Sequence, residues 1–70
     1  MKYTVILEQG KDSVGAYLPD LPGCIAAAET REEALKLIAE AIEFCLEDLR
    51  ERREEIPKPH SFFETVEVAA

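Results

Sequence analysis

Tryptophan is missing from this chain, and histidine and methionine occur once each. Two cysteines, Cys24 and Cys45, are too few for a disulfide framework and lack the paired spacing of a metal site. A thiol nucleophile needs a base, and the one histidine, His60, falls in a connection between Pro59 and Ser61. Cys24 therefore reads as a small buried residue at a strand start, and Cys45 as part of a helix core. Cations are also scarce, eight Lys and Arg against fifteen Asp and Glu, for a net charge of −7. Such a chain repels phosphate backbones, so direct binding of RNA or DNA is not expected. Its natural complement is a basic partner, because opposite fields speed encounter; the plain alternative is that the charge serves solubility. No apolar run approaches the roughly 20 residues that cross a bilayer, and no cationic start leads into an apolar leader segment. A cytoplasmic protein with reduced thiols is expected.

What is present suits a folded domain. Apolar residues make up 47% and charged residues 33%, which separates the chain from disordered sequences. Seventy residues give one domain, 1–70. A domain of this size buries only about 60% of its unfolded surface, so an oligomer or a partner is a plausible supplement to its core.

The most specific stretch runs from Pro19 to Leu35. Pro22-Gly23 suits the central positions of a type II turn, with the proline fixing φ and the glycine accepting positive φ. Asp20 can accept bonds from backbone amides within the turn. Thr30-Arg31-Glu32-Glu33 has the spacing of a capping box and predicts a helix from Arg31. Ahead of it, Lys2–Glu8 alternates as a strand, Gln9–Ser13 is a hairpin connection, and Val14–Leu18 is a second strand in which Gly15 marks a bulge or a close neighbour. After it, Ala34, Leu35, Ile38, Ala41, Ile42, Cys45, Leu46 and Leu49 recur at helical spacing. Glu32 with Lys36 and Glu47 with Arg50 are candidate helical ion pairs. Ile56-Pro57-Lys58-Pro59 is expected to stop the helix and force an extended crossover. Phe62–Val68 alternates as a fourth strand, Phe62, Glu64, Val66 and Val68 on one face.

Pro-Asp-Leu-Pro-Gly-Cys, a few small residues, Thr-x-Glu-Glu-Ala-Leu and a long helix ending before Ile56-Pro57-Lys58-Pro59 together resemble the HicB-like antitoxin family, from Tyr3 to Val68. The resemblance supports a third strand over Cys24–Ala28, a weak signal on propensity alone. The expected fold is α+β, β-β-β-α-β, with an antiparallel meander and one long helix on one face. A right-handed crossover brings the last strand beside the first, in the order 3-2-1-4, the partial ribonuclease-H-like arrangement that the resemblance also implies; placement beside the third strand is the alternative.

Function follows from the resemblance as an expectation. It implies a non-catalytic antitoxin, without cofactor or metal, that binds and neutralises a small basic HicA-like toxin that cleaves mRNA. The alternative is an orphan homo-oligomeric binding or structural module. A nuclease is disfavoured, since metal-assisted hydrolysis needs convergent carboxylates and most acids here lie along a helix, leaving Glu8, Glu29, Glu64 and Glu67 on or beside strands and Asp12 and Asp20 in loops. Expected partner contacts are Asp20, Leu21, Pro22 and Gly23 in the stiff loop and Glu40, Glu43 and Glu47 on the outer helix face. A homo-dimer or tetramer is expected through Leu37 and Phe44 on the helix flank or Phe62 and Val66 on the last strand. Many family members carry an added DNA-binding segment, and none is expected after this last strand.

Overall fold

Alternation in the first half of the chain builds a three-stranded sheet, and the 3.6-residue periodicity of the second half lays one helix across it. The computed structural model describes residues 1–69. Strand β1 is Ile6–Gln9, β2 is Val14–Tyr17, β3 is Ile25–Ala28, and helix α1 is Arg31–Glu51. The strands pair antiparallel in the order β1-β2-β3, with Leu7 opposite Ala16 and Ala16 opposite Ala26. Gly15 lies in unbroken register between Glu8 and Ala27, and its nearest non-neighbouring atom to an added Cβ is 4.0 Å away. It is neither a bulge nor a close approach, contrary to the sequence expectation.

Between β2 and β3 the Pro-Gly turn forms as its chemistry requires. Gly23 has φ +87°, and the Cys24 amide donates to the Leu21 carbonyl at 3.2 Å, closing a turn with Pro22 and Gly23 at its centre.

Thr30 caps the helix, its Oγ1 accepting from the Glu33 amide at 3.1 Å, with Glu32 and Glu33 in the first turn against the positive end of the dipole. The reciprocal bond of a full capping box, from the Thr30 amide to the Glu33 carboxylate, is not formed. The helix ends at Glu51, ahead of the prolines. The Arg53 amide donates to the Arg50 carbonyl at 3.1 Å and the Glu54 amide to the Leu49 carbonyl at 2.9 Å, with Arg53 at φ +56°. This is a Schellman closure with arginine where glycine is usual. The ion pairs differ from the expected ones as well. Arg52 meets Asp48 at 2.7 Å and Glu54 at 2.8 Å, whereas Glu32–Lys36 and Glu47–Arg50 do not pair, because these exposed side chains gain little from being held together.

Val14, Ala16, Leu18, Leu21, Cys24, Ala34 and Ile38 form the buried core. Tyr3, Val5 and Leu7 pack against it from one side and Ala41, Ile42, Cys45, Leu46 and Leu49 from the other, all partly buried. Leu35, placed on the apolar stripe by spacing, is 46% exposed. The helix lies mainly over β3 and β2, so the inner face of β1 is less covered by it.

The expected fourth strand is the main departure. Residues 54–69 form no helix or ladder, and Phe62–Val68 is paired with nothing. A strand needs a partner for its amides and carbonyls, and the single chain does not supply one here. The radius of gyration is 13.8 Å, against about 11 Å for a compact domain of this length. The long axis of 48 Å likewise exceeds the helix, which spans about 31 Å at 1.5 Å per residue. Among the described residues, no helix is long and apolar enough to cross a membrane.

Candidate functional site

Asp20 belongs to the turn that ends β2, where the Leu21 amide donates to the Leu18 carbonyl at 3.3 Å. Its carboxylate, however, looks away from that turn. It is 3% exposed and accepts from the His60 amide at 2.9 Å, the Ser61 amide at 2.9 Å and the Ser61 hydroxyl at 2.6 Å, while His60 Nε2 stands 3.1 Å from it. The expectation of bonds within its own turn is corrected: all these donors come from about forty residues later. Burial makes an unpaired carboxylate very costly, and convergent donors are the usual remedy. The Ser61 hydroxyl is foremost in holding the Asp20 carboxyl below its ordinary value; burial opposes it, and the two amides and His60 add to the lowering. The His60 ring also places Nδ1 3.0 Å from the Lys58 carbonyl, so both its nitrogens face oxygen acceptors. Two further bonds tie the crossover to the N-terminal stretch, from Tyr3 Oη to the Pro57 carbonyl and from Thr4 Oγ1 to the Ser61 carbonyl at 2.6 Å.

Beside this clamp, Leu21, Pro22 and Gly23 meet the last turns of α1 across a groove of about 290 Å³, completed by Cys45, Asp48, Leu49, Arg52 and Pro57. Its charges, Asp48 and Arg52, are already paired with each other. Phe44, one helical turn before Asp48, is 72% exposed, and Leu37 is 41% exposed.

The expected contacts therefore separate. Asp20 and Leu21 are buried and serve the fold, while Pro22 and Gly23 are exposed at the groove. Glu40, Glu43 and Glu47 are exposed and lie on the helix face opposite Ile38 and Cys45, away from the loop. No described partner pairs with them, so they form an unneutralised acidic ridge. Phe62 and Val66 are 82% and 81% exposed.

Sequence reasoning missed a row on the open face of the sheet. Ile6 is paired with Tyr17 and Tyr17 with Ile25, so three apolar side chains stand abreast on the face turned from the helix. Ile25 is 70% exposed there. The alternation of each strand gives its two faces, but the row depends on cross-strand register, which only the paired sheet fixes.

Cys24 is buried, and desolvation with the neighbouring Cys45 thiol pushes its thiol up to about 12, which makes it inert as a nucleophile. No three His, Cys, Asp or Glu side chains among the described residues gather as a metal site.

Known proteins match over nearly all of this length. The family model described as the HicB_like antitoxin of bacterial toxin-antitoxin systems matches residues 3–69. A UPF0150 protein of Thermoplasma acidophilum is 44% identical over 64 residues, 87% of this chain and 90% of its own length. A UPF0150 protein of Helicobacter pylori is 33% identical over 99% of this chain and 97% of its own. Antitoxin HicB 2 of Photorhabdus laumondii is 35% identical over the whole chain, which spans 51% of that protein.

Proposed function

The chain belongs to the HicB-like antitoxin family, and from that premise we propose that it is a non-catalytic antitoxin that binds and neutralises a small basic HicA-like toxin that cleaves mRNA. The observation that carries the reading is the distribution of charge. Helix α1 holds seven acids against three bases, and Glu40, Glu43 and Glu47 stand unpaired along its outer face. A ribonuclease needs a cationic surface to hold RNA, so an acidic ridge on a rigid helix competes for the same surface. The ridge meets the toxin's cations and excludes RNA by occupying that surface. The Pro22-Gly23 corner adds an exposed contact of fixed shape at the neighbouring groove.

Co-expression with a small basic protein encoded beside it, followed by purification and an RNA-cleavage assay, tests the reading. A stable complex with suppressed cleavage is the expected result. A second reading, a self-associating module without a toxin, draws on the four large apolar side chains exposed after Ser61. It takes over if no complex forms and only a homo-oligomer is recovered.

A further inference from the structure

The segment after Ser61 carries Phe62, Phe63, Val66 and Val68 at 82%, 74%, 81% and 73% exposure. Four large apolar groups within seven residues are not left in water on both faces of an extended segment without cost. The same molecule has a matching vacancy. Strand β1 pairs with β2 alone, so one edge of the sheet offers a free row of amides and carbonyls. Tyr3, Val5 and Leu7 are only partly buried, and the helix lies mainly over β3 and β2. Beside Leu7 a hollow of about 220 Å³ opens, lined by Leu7, Gln9, Val14 and Arg31.

We propose that Phe62–Val68 is a docking strand that adds to the free β1 edge of a second copy of this chain, and that the exchange is reciprocal. Four observations favour a second copy over other occupants. The root of the segment is fixed, since Asp20 holds the His60 and Ser61 amides and Thr4 holds the Ser61 carbonyl, and from that root it leaves its own β1 edge bare. Each copy carries both the strand and the edge, so one twofold axis satisfies both at once and closes the assembly. The area suffices: four phenylalanines at about 200 Å² each, with four valines and two ladders, reach the roughly 1,200–2,000 Å² of a stable interface. The charges are compatible too. The segment's ionisable groups are Glu64 and Glu67, and the hollow is rimmed by Arg31, which makes no described ion pair. A basic partner would be drawn to the acidic helix ridge, a different surface.

Phe62, Val66 and Val68 then cover the inner face of β1 beside Val5 and Leu7, while Phe63 lies beside Ile6 on the open face. The fourth strand absent from one chain is supplied by the other, which completes the order 3-2-1-4 across the dimer. This inference does not rest on the toxin reading, because it concerns the chain alone.

The test uses the full chain without any toxin. Sedimentation reads the mass, and isotope-edited NMR on a one-to-one mixture of labelled and unlabelled copies reads which contacts cross between copies. The expected result is twice the single-chain mass, with intermolecular cross-peaks from Phe62 and Val66 to Val5 and Leu7. Val66→Asp sets a charge against Val5 and Leu7 of the other copy from a segment that contributes nothing to the single-chain core, so it should leave the helical circular dichroism intact and raise the dimer dissociation constant at least tenfold. Phe44→Glu should leave the dimer unchanged. The proposal is overturned by a monomer, by cross-peaks confined within one copy, or by a dimer that survives Val66→Asp and is lost with Phe44→Glu.

Discussion

Asp20 and Ser61 lie forty-one positions apart, yet they make two bonds, from the Ser61 amide at 2.9 Å and from its hydroxyl at 2.6 Å. This pairing turns the proline-rich loop into the anchor of the crossover. Replacing Asp20 by Asn leaves shape nearly unchanged but turns an all-acceptor group into one that presents two donors to donors. Asp20→Asn is expected to lower Tm by on the order of 10 °C near neutral pH, and Ser61→Ala by on the order of 5 °C, both read by thermal denaturation.

The same contact fixes a dependence on pH. The folded Asp20 carboxyl is held below the ordinary 3.8, so on acidification the unfolded chain takes up this proton first. The contribution of Asp20 is fully present above the ordinary value and is lost as pH falls through the lower, folded value. Urea unfolding from pH 5 downward should therefore show a steeper loss of stability in the native chain than in Asp20→Asn. Equal slopes would mean that the carboxylate is not held as described. In Ser61→Ala the Asp20 carboxyl should titrate at higher pH by NMR, since the foremost cause of its lowering is gone.

The two helix ends respond in opposite directions. Thr30→Ala removes the acceptor for the Glu33 amide and should destabilise by about 1 kcal/mol. Arg53 holds a left-handed conformation, φ +56°, that glycine adopts without penalty. Arg53→Gly should therefore stabilise by about 0.5–1 kcal/mol in urea unfolding, even though it removes a side chain near the helix end. A destabilised Arg53→Gly would show that the arginine side chain outweighs its backbone strain.

Gly15 offers a contrast, because an added Cβ in this middle strand would meet nothing nearer than 4.0 Å outside its chain neighbours. Gly15→Thr should stabilise by about 1 kcal/mol by lowering backbone freedom and raising strand preference. A gain in stability accompanied by weaker association would identify the Ile6–Tyr17–Ile25 face as an interface, and equilibrium unfolding with sedimentation separates the two effects.

These residues show why some of the molecule was legible in the sequence and some was not. The Pro22-Gly23 turn, the Thr30 cap and the alternation of Val14, Ala16 and Leu18 were readable because each is decided by chemistry within a few residues. The prolines announced that the helix stops before Ile56, but its end at Glu51 was not legible, because Arg53 closes the helix against the usual residue preference. The role of Asp20 was hidden because its partners are distant in the chain, and nothing local separates a carboxylate that caps its own turn from one that reaches across. The expected fourth strand had an alternating pattern but finds no partner within the chain, since a pattern specifies faces and not which edge they meet. The same limit applied to the contact residues: the loop and the outer helix face were both expected contacts, and helical spacing alone does not say that the loop sits beside Cys45 and Leu49, on a different face from Glu40, Glu43 and Glu47.

That separation decides how the antitoxin reading is best challenged. Glu40, Glu43 and Glu47 are exposed and lie on one helix face, so reversing all three to Lys should leave Tm within a few degrees of the native value. If they steer a basic toxin, the reversal removes six units of charge difference from the approach. The association rate measured by stopped flow should fall by about tenfold or more at low salt. Its salt dependence should flatten or invert, because added salt then screens repulsion instead of attraction. Pro22→Ala, which loosens the corner without changing charge, should affect dissociation more than association if the loop is a contact. An unchanged association rate and salt slope in the triple reversal would remove the ridge from the interface and leave the groove at Pro22 and Gly23 as the surface to mutate next.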